Sequence, residues 1–450
     1  MLRFHRDENP FAPSVDFGRR LGMLSGSVQD SGRGGGYYAV NMCLGTPGRQ
    51  YGLIVDTGSS ITSVPCQHCA KCGRHQCGVR GRFDERTSST AERVDCHAGG
   101  GLRCEQCGAR GSRCRYQVSY LEGSEIRGHV LRDTAAFGTS SAVSSASASV
   151  HFGCQTYETG KFRRQAADGI LGLQADEHAH SRHSSRIPSV LHSLVTQLHA
   201  HNAFSLCLGE TTGLLLLGGT PDPARMASSG VAIAAMAADS PERFTLTLIA
   251  IQVETTPTSV MAHRARRGAR HFASLSAPPA HLNPTLVDSG TTFLFVSSPI
   301  WRSLHGTLRA RAPELRLISR KHVCAHMSDA RRDALPIFRL VLAGATNEST
   351  ATLDVTPRHY MVRYPSPRRG RRARSHKRER FYCAEIFDSG RSGGTVLGAS
   401  VLRHREVIFN LERRGSIGFV DAACEAATPA TSSLRGAFVF APCNTSSGRG

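Results

Sequence analysis

Residues 54–60 read IVDTGSS and residues 286–292 read LVDSGTT, 232 positions apart. Each copy places an aspartate, Asp56 or Asp288, after two apolar β-formers and before a small hydroxyl, a glycine and two more hydroxyls. Asp-x-Gly alone is ordinary turn chemistry. Two such turns set face to face about an approximate two-fold axis are different, because their carboxylates come within hydrogen-bond reach. Like charges that close cannot both ionise at moderate pH, so the pair shares one proton. That proton belongs to the pair rather than to either residue. One carboxylate then takes a proton from a bound water while the other donates to a scissile carbonyl oxygen. This is general acid–base hydrolysis of an amide without a covalent intermediate. The neighbours have matching tasks. Gly58 and Gly290 let the backbone pass close to the carboxylates, Thr57 and Ser289 can cross-bond between the two halves, and Ser59 and Thr291 can hydrogen-bond the carboxylate oxygens.

The elements that must hold such a pair are strands. From Tyr37 the pattern runs in short β segments with turn residues between them: YYAVNMCLG, QYGLIVDTG, then RYQVSYLEGSEIRGHVLRDTAAFG. Residues 187–202 predict one helix, with Pro188 near its start and Val190, Leu191, Leu194, Val195 and Leu198 on one face. The second half repeats the plan: strand, Asp-Ser-Gly, a helix near PIWRSLHGTLRAR, and more strands. ILG at 170–172 answers VLG at 396–398, each downstream of its own aspartate motif. The expectation is an all-β chain of two duplicated lobes, 36–213 and 214–425, after a loose leader (1–35) and before a flexible tail (426–450). A chain of 450 residues is long enough to bury the core of both.

The formal charge of +20 is concentrated in arginine-rich runs, HRARRGAR (263–270) and RRGRRARSHKRER (368–380). These are solvated loops, and without interleaved aromatics they do not read as nucleic-acid-binding surfaces. The fifteen cysteines cluster in PCQHCAKCGRHQC (65–77) and continue through Cys96, Cys104, Cys107 and Cys114. C-x2-C-x2-C-x4-C approaches an iron–sulfur run, and the pairs Cys69/Cys72 and Cys104/Cys107 approach a zinc ribbon. The other cysteines are dispersed along the chain, which favours disulfides, with no metal or cofactor and at least one thiol left over. Asn347 and Asn444 head glycosylation triplets that fit the same oxidising compartment. The twenty-one histidines are scattered without paired metal spacing and receive no catalytic role. Neither a signal peptide nor an apolar run long enough to span a bilayer is visible. Disulfides without a signal suggest a sequence truncated at its ends.

The DTGSS/DSGTT pair, each followed downstream by two hydrophobic residues and a glycine, resembles the pepsin-like aspartic proteases across roughly residues 36–425. That resemblance implies a bilobal all-β fold with a cleft between the lobes. VSYLEGSEIRGHV (118–130) is similar to the family's flap hairpin, with Tyr120 as the flap tyrosine. Where pepsins place a tryptophan seven residues after the first aspartate, this chain has Ser63, and its one tryptophan is Trp301. The flap is therefore expected to be held differently. The cysteine block, HFGCQTYETGKF and VIFNLERRGSIGFVDAAC resemble plasmepsin V and its apicomplexan relatives, with a nepenthesin-type insert. By that resemblance residues 66–114 form a disulfide-bonded subdomain, and Cys324 and Cys383 form the second-lobe bridge. It also implies a protease of the endoplasmic reticulum or Golgi lumen that cuts polypeptides of the secretory pathway after leucine in Arg-x-Leu motifs. A C-terminal membrane anchor, expected of those relatives, is absent from this sequence. Glu122 resembles the flap glutamate that holds the substrate arginine, with Gln165 as its partner. Leu121 stands where those relatives carry a cysteine. Two alternatives stand beside this reading: a broad degradative aspartic protease, and a non-catalytic binding protein on the same fold.

Overall fold

The computed structural model describes residues 24–30 and 37–424, except 74, 76–80, 97–103, 105, 108–111, 121–122, 138–146, 175–186, 211, 219–230, 238–242, 256–269, 319–322, 347–348, 365–379, 392 and 413–414. Strands dominate it. In Tyr38–Leu44 the side chains of Tyr38, Val40, Met42 and Leu44 are fully buried, the period of two that a pleated strand requires. Its partner Arg49–Asp56 is buried almost throughout, because it lies in the sheet interior. Tyr38–Leu44 runs antiparallel on one side of it, and Gly169–Gly172 runs parallel on the other.

The two halves repeat one topology around their aspartates. Gly169–Gly172 lies between Arg49–Asp56, parallel, and Ser63–Pro65, antiparallel. Thr395–Leu397 lies between Thr285–Val287, parallel, and Leu294–Val296, antiparallel. The next neighbour also repeats: Ser63–Pro65 pairs in parallel with Ser147–Glu158, and Leu294–Val296 pairs in parallel with Ile386–Asp388. The two short apolar motifs singled out in the sequence, at 170–172 and 396–398, are therefore the inner strands beside each aspartate.

One sheet of fourteen strands runs through both halves. Ala203–Leu208 and Thr212–Leu217 form a hairpin, and the far edge of Ala203–Leu208 pairs with Arg405–Asn410. Ser416–Asp421 and Ala232–Ala235 extend the sheet further. Phe204, Phe244 and Phe409 pack at this junction with ring centroids 4.4–5.7 Å apart, and Cys207–Cys424 ties it covalently. The expected boundary at 213/214 thus falls inside the strand Thr212–Leu217, because the last strands complete the sheet begun by the first half. The leader also needs correction. Leu24–Asp30 is a strand, antiparallel to Thr212–Leu217 and to the start of Tyr38–Leu44. It covers an edge whose N–H and C=O groups would otherwise lack partners.

The helix expected at 187–202 is shorter, Val190–Gln197, with Val190, Leu191, Leu194 and Val195 buried. Ser189 caps it by accepting from the His192 N–H at 3.1 Å. The second helix, Ser298–Arg311, buries Ile300, Leu304 and Leu308 at helical spacing. Trp301 belongs to its packing and donates from Nε1 to the Ile386 carbonyl at 2.9 Å.

Among the described residues, six disulfides join Cys66–Cys154, Cys69–Cys72, Cys96–Cys107, Cys104–Cys114, Cys207–Cys424 and Cys324–Cys383. Cys104 and Cys107, one of the two pairs that suggested a zinc ribbon, go to different partners. The sulfurs of Cys96, Cys104 and Cys107 lie within 4.8 Å of one another, but all three are committed to disulfides. Cys66 reaches outside the 66–114 block, anchoring it to the strand Ser147–Glu158. Cys43 is buried and takes no part in these bridges. Among the described residues no helix is long and apolar enough to cross a membrane. Asn347 and Asn444, and both arginine-rich runs apart from Arg270 and Arg380, lie outside the described residues.

Candidate active site

Asp56 ends the strand Arg49–Asp56, and Asp288 directly follows Thr285–Val287. The inner strands hold each turn from beneath. The Leu173 N–H donates to the Asp56 carbonyl at 2.9 Å, and the Asp288 N–H donates to the Leu397 carbonyl at 3.0 Å. Gly172 and Gly398 permit this closeness, since a Cβ on either would meet backbone carbonyls of its own half's aspartate loop at under 2.8 Å.

Thr57 and Ser289 make four hydrogen bonds between the two aspartate turns. The Thr57 N–H donates to Ser289 Oγ at 3.1 Å and the Ser289 N–H to Thr57 Oγ1 at 2.9 Å. Thr57 Oγ1 donates onward to the Val287 carbonyl at 2.9 Å, and Ser289 Oγ to the Val55 carbonyl at 2.7 Å. Both residues are buried. Each hydroxyl both accepts from and donates to the opposite turn, so neither aspartate loop can shift without breaking bonds to its counterpart.

The carboxyl groups of Asp56 and Asp288 are in hydrogen-bond contact. Asp56 Oδ1 accepts from the Gly58 N–H at 2.8 Å, and its Oδ2 accepts a short bond from Ser59 Oγ. Asp288 Oδ1 accepts from the N–H groups of Gly290 at 2.9 Å and Thr291 at 3.2 Å, and Oδ2 from Thr291 Oγ1 at 2.6 Å. The glycines face across the pair. A Cβ on Gly58 would lie 2.8 Å from the Asp288 carboxyl, and one on Gly290 would run into the Asp56 carboxyl. Burial, and then the neighbouring charge of Asp288, push the Asp56 pKa well above the usual carboxylate range, against the pull of the Ser59 and Gly58 hydrogen bonds. Such a pair keeps one proton at mildly acidic pH.

Over this pair stands the hairpin of Arg115–Ser119 and Glu125–Phe137, whose ladder closes at Ser119 and Glu125. Gly123, with φ of +88°, makes its turn, donating to the Tyr120 carbonyl at 2.9 Å. The Tyr120 hydroxyl lies 3.3 Å from Ser59 Oγ, and its ring packs on Phe162 with centroids 4.8 Å apart. This is how the flap tyrosine is held without a tryptophan at position 63. Ser63 is buried and accepts from Gln155 Nε2 at 2.8 Å. Phe162 was not singled out in the sequence, although it lies within a quoted segment; an aromatic there gave no signal of its own. Gln165 Nε2 donates to the Ala167 carbonyl at 3.3 Å, within its own loop. Glu122 and Leu121 lie outside the described residues, so a contact of Gln165 with Glu122 does as well.

A family model described as "Xylanase inhibitor N-terminal" matches residues 38–219. Aspartic protease 5 of Toxoplasma gondii is 26% identical over 409 residues, covering 86% of this chain and 36% of that protein. Plasmepsin V of Plasmodium falciparum is 29% identical over 191 residues, 41% of this chain and 29% of the relative. Aspartic proteinase 36 of Arabidopsis thaliana is 24% identical over 407 residues, 86% of this chain and 74% of its own length. The chain thus spans about a third of the length of the first two relatives.

Proposed function

Because this chain belongs to the pepsin-like aspartic protease family, we propose that it is an aspartic endopeptidase working through Asp56 and Asp288. The observation that carries this reading is the buried carboxyl pair, gripped across the halves by Thr57 and Ser289 and hydrogen-bonded on both sides. With one proton on the pair, the ionised carboxylate accepts a proton from the attacking water as it adds to the peptide carbonyl. The protonated carboxyl donates to the carbonyl oxygen, giving a tetrahedral gem-diol. The carboxyl that took the water's proton then passes it to the leaving nitrogen, while the other carboxylate takes the proton of one gem-diol hydroxyl; the C–N bond breaks, the carbonyl re-forms and the pair is again singly protonated. Gly58, Ser59, Gly290 and Thr291 hold the carboxylates in plane throughout. Tyr120, anchored to Ser59 and Phe162, bounds the space above them.

The finer reading is a processing enzyme of the endoplasmic reticulum or Golgi lumen that cuts exported polypeptides after leucine in Arg-x-Leu motifs. The six disulfides among the described residues support an oxidising compartment. Specificity for arginine rests on Glu122, whose carboxylate matches the guanidinium fork. The matching family description is that of an inhibitor, so a non-catalytic role is the reading to test against. Both aspartates and all their hydroxyl partners are intact, which favours hydrolysis. Cleavage of a peptide library decides among the three. Motif-restricted cuts support processing, broad apolar cuts support degradation, and no cuts support a binding protein.

A further inference from the structure

The outer face of the flap hairpin is basic and hollow, and it takes no part in the site above. Arg115 pairs with His129 and Gln117 with Arg127 in the ladder, which puts these side chains on one face. The opposite face sends Tyr116, Val118, Ile126 and Val130 into the core with Tyr120. Beneath the outer face lies a cavity of about 790 Å³. Four cations line it: Lys71, Arg113, Arg115 and Arg127. One carboxylate answers one of them, as Glu125 pairs with Arg127 at 2.5 Å. Glu85 stands at the edge, 3.6 Å from His129, but is bound to Arg93 at 2.5 Å. Among the described residues Lys71, Arg113 and Arg115 have no carboxylate within 4 Å. Tyr157 supplies an aromatic wall, with Arg127 4.0 Å and Lys71 5.4 Å from its ring centroid. Arginine and lysine held around a concave, partly aromatic space, with uncompensated charge, are suited to phosphate or sulfate groups. Nothing in peptide hydrolysis requires them.

We propose that this cavity binds a small ligand carrying two or more phosphate or sulfate groups, with Arg115, Arg127 and Lys71 as its principal contacts. The site is independent of the aspartate pair and of the proposed protease activity. Isothermal titration calorimetry on the full Asp56→Asn chain, which cannot digest itself under that mechanism, tests it with tripolyphosphate and with a sulfated heparin disaccharide. One saturable site is expected for at least one probe, showing which ester the cavity prefers, and none for an unsulfated disaccharide. Arg115→Gln/Arg127→Gln should weaken the binding at least tenfold with an unchanged melting temperature. Lys71→Gln, on a separate segment, should weaken it by a smaller factor. Neutralising the basic run 263–270 should leave the affinity as it was. No saturable binding of either probe, or binding that survives the Arg115/Arg127 change and disappears with the basic run, overturns the proposal.

Discussion

At the scale of residues, the aspartate pair makes claims that kinetics can check. Asp56→Asn or Asp288→Asn removes a group that must take or give a proton, so kcat on a cleavable peptide should fall by about 10²–10⁴-fold or more. Far-ultraviolet circular dichroism should remain that of the parent, and near-normal turnover in either variant would remove the mechanism. The upward shift of Asp56 has a second consequence. A carboxyl whose folded pKa lies above its unfolded value contributes stability below the unfolded pKa, and that contribution is lost as pH rises through the folded pKa. For Asp56 the window runs from the ordinary carboxylate range to about 8. Asp56→Asn should therefore gain melting temperature relative to the parent as pH is raised from 4 to 8, the gain appearing on the alkaline side. A constant difference across that range would mean that the pair does not share a proton. The sequence was explicit about these residues because hydroxyl, glycine and carboxyl types are dictated by bonds made at fixed offsets. Phe162 was not legible in the same way, since its role depends on a loop folding back against Tyr120.

At the scale of elements, the two turns are each other's support. Thr57→Ala would leave the Ser289 N–H without its acceptor and the Val287 carbonyl without its donor inside a buried interface. A buried group stranded in this way costs about 1–3 kcal/mol. Thr57→Ser, keeping the hydroxyl, should recover most of that loss in a urea melt and most of the activity. Equal destabilisation by alanine and serine would show that the methyl packing matters instead. Tyr120→Phe tests the flap similarly. It keeps the ring on Phe162 but loses the contact with Ser59, so peptide turnover should fall while melting temperature stays close to the parent. The strands flanking both aspartates were readable from the duplicated apolar-apolar-glycine motifs. Strand order was not, because parallel pairings such as Val55 with Leu171 join segments more than a hundred residues apart. Nor could the leader segment 24–30 be recognised as a strand. Its short polar sequence acquires β structure only from the edge of Thr212–Leu217.

At the scale of the molecule, the disulfides divide the work between the cysteine-rich block and the frame. Which cysteines pair is not decidable from the positions of fifteen of them. The Cys66–Cys154 link, which leaves the block, is the kind of connection spacing cannot reveal. The frame bridge Cys324–Cys383 closes a separation of 59 residues. By the chain-entropy relation its loss costs about 4 kcal/mol. Replacing both cysteines by alanine should lower the melting temperature markedly while leaving the aspartate pair assembled, so residual activity at low temperature is expected. Retention of the parental melting temperature would show that the second-half sheet carries its stability without the bridge.

The sheet shared between the halves also sets an order of events during synthesis. Asp56 leaves the ribosome early, but Asp288 comes much later, and the strands Arg405–Asn410 and Ser416–Asp421 later still. At bacterial-to-eukaryotic elongation speeds of about 5–20 residues per second, roughly 20–70 s separate Asp56 from residue 421. From the completion of residue 208 until residues 405–410 are made, Ala203–Leu208 has one edge waiting for a partner that does not yet exist. A nascent chain therefore cannot bring Asp56 and Asp288 together until the second turn has been made. The same interval is when a chaperone would have a bare β edge to hold.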